Sequence, residues 1–262
     1  MRPTVSSRIA WRLLAATFLL SVGILAVAYV QGQHLDVVYV PTPHATVNRM
    51  MAVAEVGPGD FVIDLGSGDG RIAIAAGRLG ARALGVDLDP ARVRDAELNA
   101  ERAGVVDRVV FRQQNLFETD ISQATVLTMY LLPSINLRLR PKILGLRPGT
   151  RVVSHDFRMG DWKPDLSEVT NWRVHFWVVP AQVAGRWQVQ SGDHRFSLAL
   201  EQTFQEISGT AGEGGRATAL RHPRLRGNAI AFTVDLGGRA MEFHGTVDGD
   251  RMYGADWSAT RS

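Results

Sequence analysis

The sequence predicts an α/β protein: a doubly wound, mostly parallel sheet, with an apolar amino-terminal helix before it and a small antiparallel β domain after it. Three observations carry this expectation. Between residues 61 and 154, short β-branched runs alternate with helical stretches, as in parallel strands joined by crossover helices. The first of those strands runs into a glycine-rich turn, Asp64-Leu65-Gly66-Ser67-Gly68-Asp69-Gly70, that opens a helix. After Ala184 the apolar period shortens to two, and Gly/Asp pairs separate the runs, which is the grammar of antiparallel hairpins.

Taken in order, His44 to Val56 carries apolar residues at helical spacing (Val47, Met50, Met51, Val53, Ala54) until Gly57-Pro58-Gly59 stops it. Phe61-Val62-Ile63 is a buried-strand pattern, and Ile72 to Leu79 is helical. Ala83 to Val86 is a second strand. Pro90 to Ala103 is a charged, alanine-rich helix with Asp89 as its cap and Pro90 at its first position. Arg108 to Phe111 and Ala124 to Tyr130 are the third and fourth strands, Ile135 to Leu144 a helix, and Arg151 to Ser154 the fifth strand. Val174 to Val179 is expected to close the sheet edge. Beyond it, Phe196, Leu198 and Leu200 alternate with polar or small residues, as do Ile230, Phe232, Val234 and Leu236, then Met241 and Phe243. Ser191-Gly192-Asp193, Gly237-Gly238 and Asp248-Gly249-Asp250 mark the turns, giving a meander or partial barrel. Arg216, Arg221, Arg224 and Arg226, with His222, read as a solvated loop. Trp172, Trp177, Trp187 and Trp257 read as packing.

Composition excludes several chemistries. The chain has 262 residues and no cysteine, so a disulfide scaffold, a thiolate zinc site and a thiol nucleophile are all absent. A net charge of +3 is too small an excess to argue for nucleic acid, which needs clustered Lys and Arg. At the amino terminus, Leu13 to Val30 is uncharged and mostly apolar, just long enough to cross a bilayer as a helix. It reads as a retained membrane anchor; a cleaved signal peptide, with Ala26-Val27-Ala28 as its cleavage site, and a buried helix are the alternatives. The expected organisation is therefore an anchor over residues 1–33, an α/β domain over 34–182 and an antiparallel β domain over 183–262.

The glycine-rich turn carries the chemistry. Glycines there let the backbone turn sharply and approach a ligand, while the following helix presents free N–H groups. A dinucleotide fingerprint would need a sixth-position glycine, but counting from Gly66 that residue is Arg71; no Gly-Lys-Ser/Thr follows either, so a P-loop fails too. On the next strand Asp87 ends Gly85-Val86-Asp87, where a carboxylate can accept both ribose hydroxyls of a nucleoside. Together, D-x-G-x-G-x-G and an acidic second-strand end resemble the signature of class I S-adenosylmethionine-dependent methyltransferases, over roughly Thr42 to Pro180. The resemblance implies S-adenosyl-L-methionine as cofactor, with Gly66, Ser67, Gly68 and Gly70 along its methionine and ribose. It further implies Asp64 ordering that loop, Asp87 on the ribose, and Asn115 and Leu116 bordering adenine. Asn115 departs from the family, which usually has an acidic residue there. Val40-Pro41-Thr42-Pro43, the Gly-Ser-Gly-Asp-Gly-Arg loop and the proline after strand four are similar to the ATP-synthase c-subunit lysine methyltransferase family, whose members carry a membrane-anchoring amino-terminal helix.

For the reaction, Tyr130 in Thr128-Met129-Tyr130-Leu131-Leu132-Pro133 is the candidate to orient the acceptor, and packing is its alternative role. His155 and Asp156, at the end of strand five, offer a base or simply a polar strand end. The expected function is methyl transfer to a protein side chain, lysine among the candidates, with no nucleic-acid partner. A SAM-binding module serving the β domain, or a small-molecule or lipid methyltransferase, are the competing readings. Arg2, Arg8 and Arg12 favour an inside amino terminus and so an outside domain. The cytoplasmic origin of the cofactor outweighs them, so a single-pass membrane protein with a cytoplasmic catalytic face is expected.

Overall fold

The computed structural model describes residues 39–169 and 173–262. The first helix, α1 (His44–Val53), buries Val47, Met50 and Met51, and follows Pro43, whose extended backbone delivers the chain to the helix start. Strand β1 (Phe61–Leu65), α2 (Arg71–Arg78), β2 (Arg82–Asp87), α3 (Pro90–Ala103), β3 (Val109–Gln113), β4 (Val126–Met129), α4 (Pro133–Leu144) and β5 (Arg151–His155) then alternate. Helix α3 starts as its sequence demands: the Asp89 carboxylate accepts from Ala91 N at 2.8 Å and Pro90 occupies the first turn. Among the described residues the first sheet has the order β3-β2-β1-β4-β5-β7-β6. The first five of its strands in chain order pair in parallel. Central strands buried on both faces must be apolar throughout. Val62, Ile63, Leu65, Val126, Leu127 and Met129 accordingly have no exposed surface.

Strand order reverses between β1 and β4, so both strands leave their carboxyl ends at one topological switch point. That is where open α/β sheets bind ligands. Strand β7 (Arg173–Val178) runs antiparallel to β5 but does not close the sheet. The edge belongs to β6 (Leu166–Val169), which the sequence did not announce because its side chains are mostly exposed and lack alternation.

The carboxyl-terminal strands are β8 (Gly185–Ser191), β9 (His194–Thr203), β10 (Glu206–Glu213), β11 (Arg216–Ala219), β12 (Arg221–Arg226), β13 (Ala229–Leu236), β14 (Arg239–Asp248), β15 (Arg251–Tyr253) and β16 (Trp257–Arg261). They form one antiparallel sheet in the order β11-β10-β9-β8-β16-β15-β14-β13-β12. Its two edge strands are consecutive in the chain and β10 touches β12, so the sheet curls into a barrel-like body. Trp187, Phe196, Leu198, Val234, Phe243 and Trp257 fill the interior. The arginines read as a loop lie on strands instead: Arg216 on β11, and Arg221, Arg224 and Arg226 on β12. There a register shift between Arg221 and Arg224 absorbs Pro223 and the left-handed His222. Trp177 and Trp187 are fully buried and Trp257 nearly so, whereas Trp172 lies outside the described residues.

The expectation of a single-pass membrane protein is corrected here. Among the described residues no helix is long and apolar enough to cross a membrane. Leu13 to Val30, which prompted that expectation, lies outside the described residues.

Candidate active site

The glycine turn is anchored at both ends by backbone. Gly66 N and Ser67 N both donate to Val86 O at 2.9 Å, and Gly70 N donates to Ser67 O at 2.9 Å. From α3, Asn99 Nδ2 donates to Asp69 O at 3.0 Å. Gly68 and Gly70 have φ of 54° and 81°, the left-handed region. A Cβ on Gly70 would lie 2.5 Å from Phe111 Cζ and 2.9 Å from Ala96 Cβ. On Gly68 it would lie 2.4 Å from Tyr39 Cε2, so the ring of Tyr39 rests directly on the turn. The Arg92 guanidinium lies 4.9 Å from that ring's centre.

Asp87 braces the turn from β2. Its Oδ2 accepts from Gly68 N at 2.9 Å and its Oδ1 from Asp89 N at 3.0 Å, which leaves each oxygen a further lone pair. Asp64 is almost fully buried, and Thr128 Oγ1 donates to its Oδ1 at 2.7 Å. Burial drives its pKa up to about 7, against the Thr128 hydrogen bond and with help from the Asp87 and Asp69 charges. Asp64 Oδ2 and Ser67 Oγ are buried polar atoms without a hydrogen-bond partner in the protein. Asn115 turns inward on its own loop: its Oδ1 accepts from Phe117 N at 3.0 Å and its Nδ2 donates to Glu118 Oε1 at 3.3 Å.

The parallel register brings the second half of the site alongside. Leu65 pairs with Met129 and Met129 with Ser154, so Gly66, Tyr130 and His155 follow at adjacent strand ends. The Tyr130 ring lies 4.0 Å from that of His155 and stacks on Phe157 at 6.1 Å. Burial, then the Asp156 charge, raises the Tyr130 pKa, so its hydroxyl stays protonated at neutral pH. His155 is buried, with its Nδ1 3.1 Å from Thr42 Oγ1. Burial lowers its pKa and the Asp156 charge only partly opposes this, so the ring is neutral at pH 7.

Asp156 itself is held at φ 64°, a strained conformation for a non-glycine residue. Several groups hold it there. Phe157 N donates to His155 O at 2.7 Å and Asp156 N to Arg173 O at 2.6 Å. Ser154 Oγ donates to Phe157 O at 2.7 Å, and the buried Asn136 Nδ2 reaches Phe157 O at 3.3 Å. Buried His175 completes the set, with its Nε2 3.3 Å from Asp156 O.

The structure therefore gathers Asp64, Gly66, Ser67, Gly68, Gly70, Asp87, Tyr130, His155 and Asp156 at one sheet end, with Asn115 and Leu116 on the adjoining loop. Thr42, Thr128, Asn136, Ser154 and His175 were not legible in the sequence. Thr42 alone left a trace there: it sits between Pro41 and Pro43, which fix an extended strap. Arg71 Nη1 donates to Thr42 O at 2.8 Å while the same guanidinium pairs with Asp69. A separate groove of about 730 Å³ runs along α1, α2 and α3. It shares Asp69, Arg71 and Asn99 with the site but none of its glycines or aromatic residues.

This sheet, its switch point and its glycine turn define a class I S-adenosyl-L-methionine-dependent methyltransferase. A crystal structure of an RNA methyltransferase from Salinibacter ruber in complex with S-adenosyl-L-homocysteine is 52% identical, with a TM-score of 0.54 over 55% of this chain and 96% of that one. The ANTKMT methyltransferase domain matches residues 64–166. A protein-lysine N-methyltransferase of Saccharolobus islandicus is 48% identical over 129 residues, 48% of this chain and 80% of the relative. The adenine nucleotide translocase lysine N-methyltransferase of Mus musculus is 36% identical over 132 residues, half of this chain and 57% of the relative. The chain belongs to the SAM-dependent methyltransferase family that includes the Saccharolobus enzyme, and S-adenosyl-L-methionine is its cofactor. The matched domain ends at residue 166, before the antiparallel sheet begins.

Proposed function

We propose that this enzyme methylates the side-chain amine of a protein lysine. The observation that carries the reading is the cluster of Tyr130, His155, Asp156 and Phe157 beside the glycine turn: aromatic faces and a carboxylate are the groups that receive an alkylammonium. Two of the relatives are named as lysine methyltransferases. The orphaned Asp64 Oδ2 and Ser67 Oγ suit the polar end of the cofactor's methionine, and the spare lone pairs of Asp87 suit the ribose hydroxyls. Gly66, Gly68 and Gly70 let the backbone approach it, and the loop of Asn115 and Leu116 borders the adenine. When bound, S-adenosyl-L-methionine supplies an electrophilic methyl group on a sulfonium.

The chain's own task is to present an uncharged amine. A lysine ammonium enters against Asp156, whose side chain is about one-third exposed and can pass the released proton to water. Tyr130, protonated at neutral pH, accepts a hydrogen bond from the amine through its oxygen and fixes its direction, which is the positioning an in-line displacement needs. Buried His155 stays neutral and supports the tyrosine ring at a 42° tilt. In this reading the methyltransferase part runs to residue 182 and the antiparallel part spans 183–262.

RNA is the second reading, because the Salinibacter protein is named an RNA methyltransferase. The site argues against it: Asp156 would face the phosphates, and four nearby arginines are engaged by protein groups. Arg173 pairs with Asp156, Arg140 with Asp161 and Arg71 with Asp69, while Arg138 covers the Phe117 ring. Incubation of the protein with methyl-labelled cofactor and cell extract, followed by separation of protein, lipid and RNA, tests the proposal. Label in protein is expected, and label in RNA or lipid alone would overturn it.

A further inference from the structure

The antiparallel barrel has two-residue turns at β8–β9 (Gly192-Asp193), β10–β11 (Gly214-Gly215), β12–β13 (Gly227-Asn228), β13–β14 (Gly237-Gly238) and β14–β15 (Gly249-Asp250). Each begins with a glycine at positive φ, as tight hairpins demand. The β9–β10 turn breaks this pattern. Its residues are Phe204-Gln205, and Phe204 is held at φ 55° without the freedom of glycine. Its tip docks on the α/β part, as does the β12–β13 turn, where a Cβ on Gly227 would lie 3.1 Å from Gly149 Cα. The Phe204 ring stacks on Trp162 at 5.8 Å and 18°, and the Arg140 guanidinium of α4 lies 5.3 Å from its centre. Trp162 Nε1 donates to Gln205 Oε1 at 2.8 Å, and Gln205 Nε2 donates to Lys163 O at 2.7 Å.

The docked segment leads directly back to the acceptor side. Met159 and Trp162, both fully buried, bridge to each other across the loop that follows Asp156-Phe157-Arg158. Arg140 Nη1 donates to Met159 O at 3.0 Å and pairs with Asp161, while Asn136, one turn earlier on α4, holds Phe157 O and Arg158 O. Trp177 Nε1 donates to Trp162 O at 3.0 Å. Residues 156–163 are thus tied on one side by α4 and β7 and on the other by the barrel's hairpin.

We propose that the barrel is part of the acceptor side of this enzyme, with Phe204 and Gln205 as positioning residues that hold the loop carrying Asp156 and Phe157. A strained aromatic at a turn persists only where its contacts over-determine it: Gln202 Nε2 donates to Phe204 O at 2.7 Å from within the hairpin, while the ring's contacts are to Trp162 of that loop and Arg140 of α4. The catalytic consequence rests on the amine-acceptor reading above; the mechanical one does not.

Phe204→Gly and Gln205→Ala in the full chain, with Phe204→Tyr as the conservative control, test it. Phe204→Gly relieves the turn while deleting the ring, so the barrel itself is not weakened at that hairpin. Hydrogen exchange of peptides covering residues 156–163 is expected to quicken about tenfold in the first two variants and to stay at the parent rate in Phe204→Tyr. Binding of S-adenosyl-L-homocysteine is expected to hold within about twofold, while kcat for methyl transfer to poly-L-lysine falls about tenfold. Unchanged exchange at 156–163, or loss of cofactor-product binding in step with activity, would overturn the inference. If the parent itself transfers label neither to poly-L-lysine nor to extract protein, the lysine reading fails, and the exchange measurement alone decides whether the hairpin holds the loop.

Discussion

Asp64 should impose a measurable pH dependence on stability, and its size follows from its surroundings. In an unfolded chain this carboxyl titrates near 3.8; in the fold, burial raises it to about 7. Because the folded state binds the proton more tightly, its stability is greatest below the unfolded value. It is lost progressively as pH rises from about 4 towards 7, at up to ~1.4 kcal/mol per pH unit. Summed over the window this is on the order of 4 kcal/mol, a large fraction of a typical folding free energy. Asp64→Asn removes the titration while keeping an oxygen for Thr128 Oγ1. Urea unfolding of both proteins between pH 4.5 and 8 isolates the effect, since groups that do not interact with Asp64 cancel in the difference. The stability gap should shift in favour of Asp64→Asn as pH rises, and level off above about pH 7.5. Parallel curves across that range would refute the reasoning.

Three further perturbations separate the parts of the site. Gly70→Ala forces a Cβ against Phe111 and Ala96 at a left-handed position. It should cost about 2–5 kcal/mol in urea unfolding, and a loss under about 1 kcal/mol would show the turn to be more adaptable than its geometry implies. Asp87→Ala should weaken S-adenosyl-L-homocysteine binding roughly 10- to 100-fold by calorimetry, through loss of both the ribose acceptor and the brace on Gly68. Unchanged affinity would remove Asp87 from the cofactor site. Tyr130→Phe should leave that affinity intact and lower kcat for an amine acceptor about tenfold, because only the hydroxyl is lost; an equal fall in cofactor affinity would assign Tyr130 to the cofactor instead.

The alternation of strands and helices was legible through local punctuation, as where Asp89-Pro90 starts α3; the first helix stops earlier than Gly57-Pro58-Gly59, at Val53, because Glu55 turns left-handed at φ 50°. Strand ends moved by a residue or two, as at β3, which continues through Arg112 and Gln113 because a parallel partner, not side-chain character, sets its length. The arginine-rich β12 was hidden because Arg221-His222-Pro223-Arg224 shows neither alternation nor strand propensity. Its pairing with β13 supplies what the local sequence lacks. Within the site, residues adjacent in sequence to a motif were readable, as Asp87 and Tyr130 were. Thr128, Asn136 and His175 act across 64, 21 and 19 residues of chain, so only the register of the sheet and the packing of α4 bring them in.

The central claim, that cofactor and acceptor meet where β1, β4 and β5 end, is tested most directly by a crystal structure of the protein with S-adenosyl-L-homocysteine. The account predicts its methionine end at Asp64 and Ser67, its ribose on Asp87, and its sulfur facing Tyr130. Density for the ligand in the groove between α1, α2 and α3, or with its sulfur turned away from Tyr130, would contradict it.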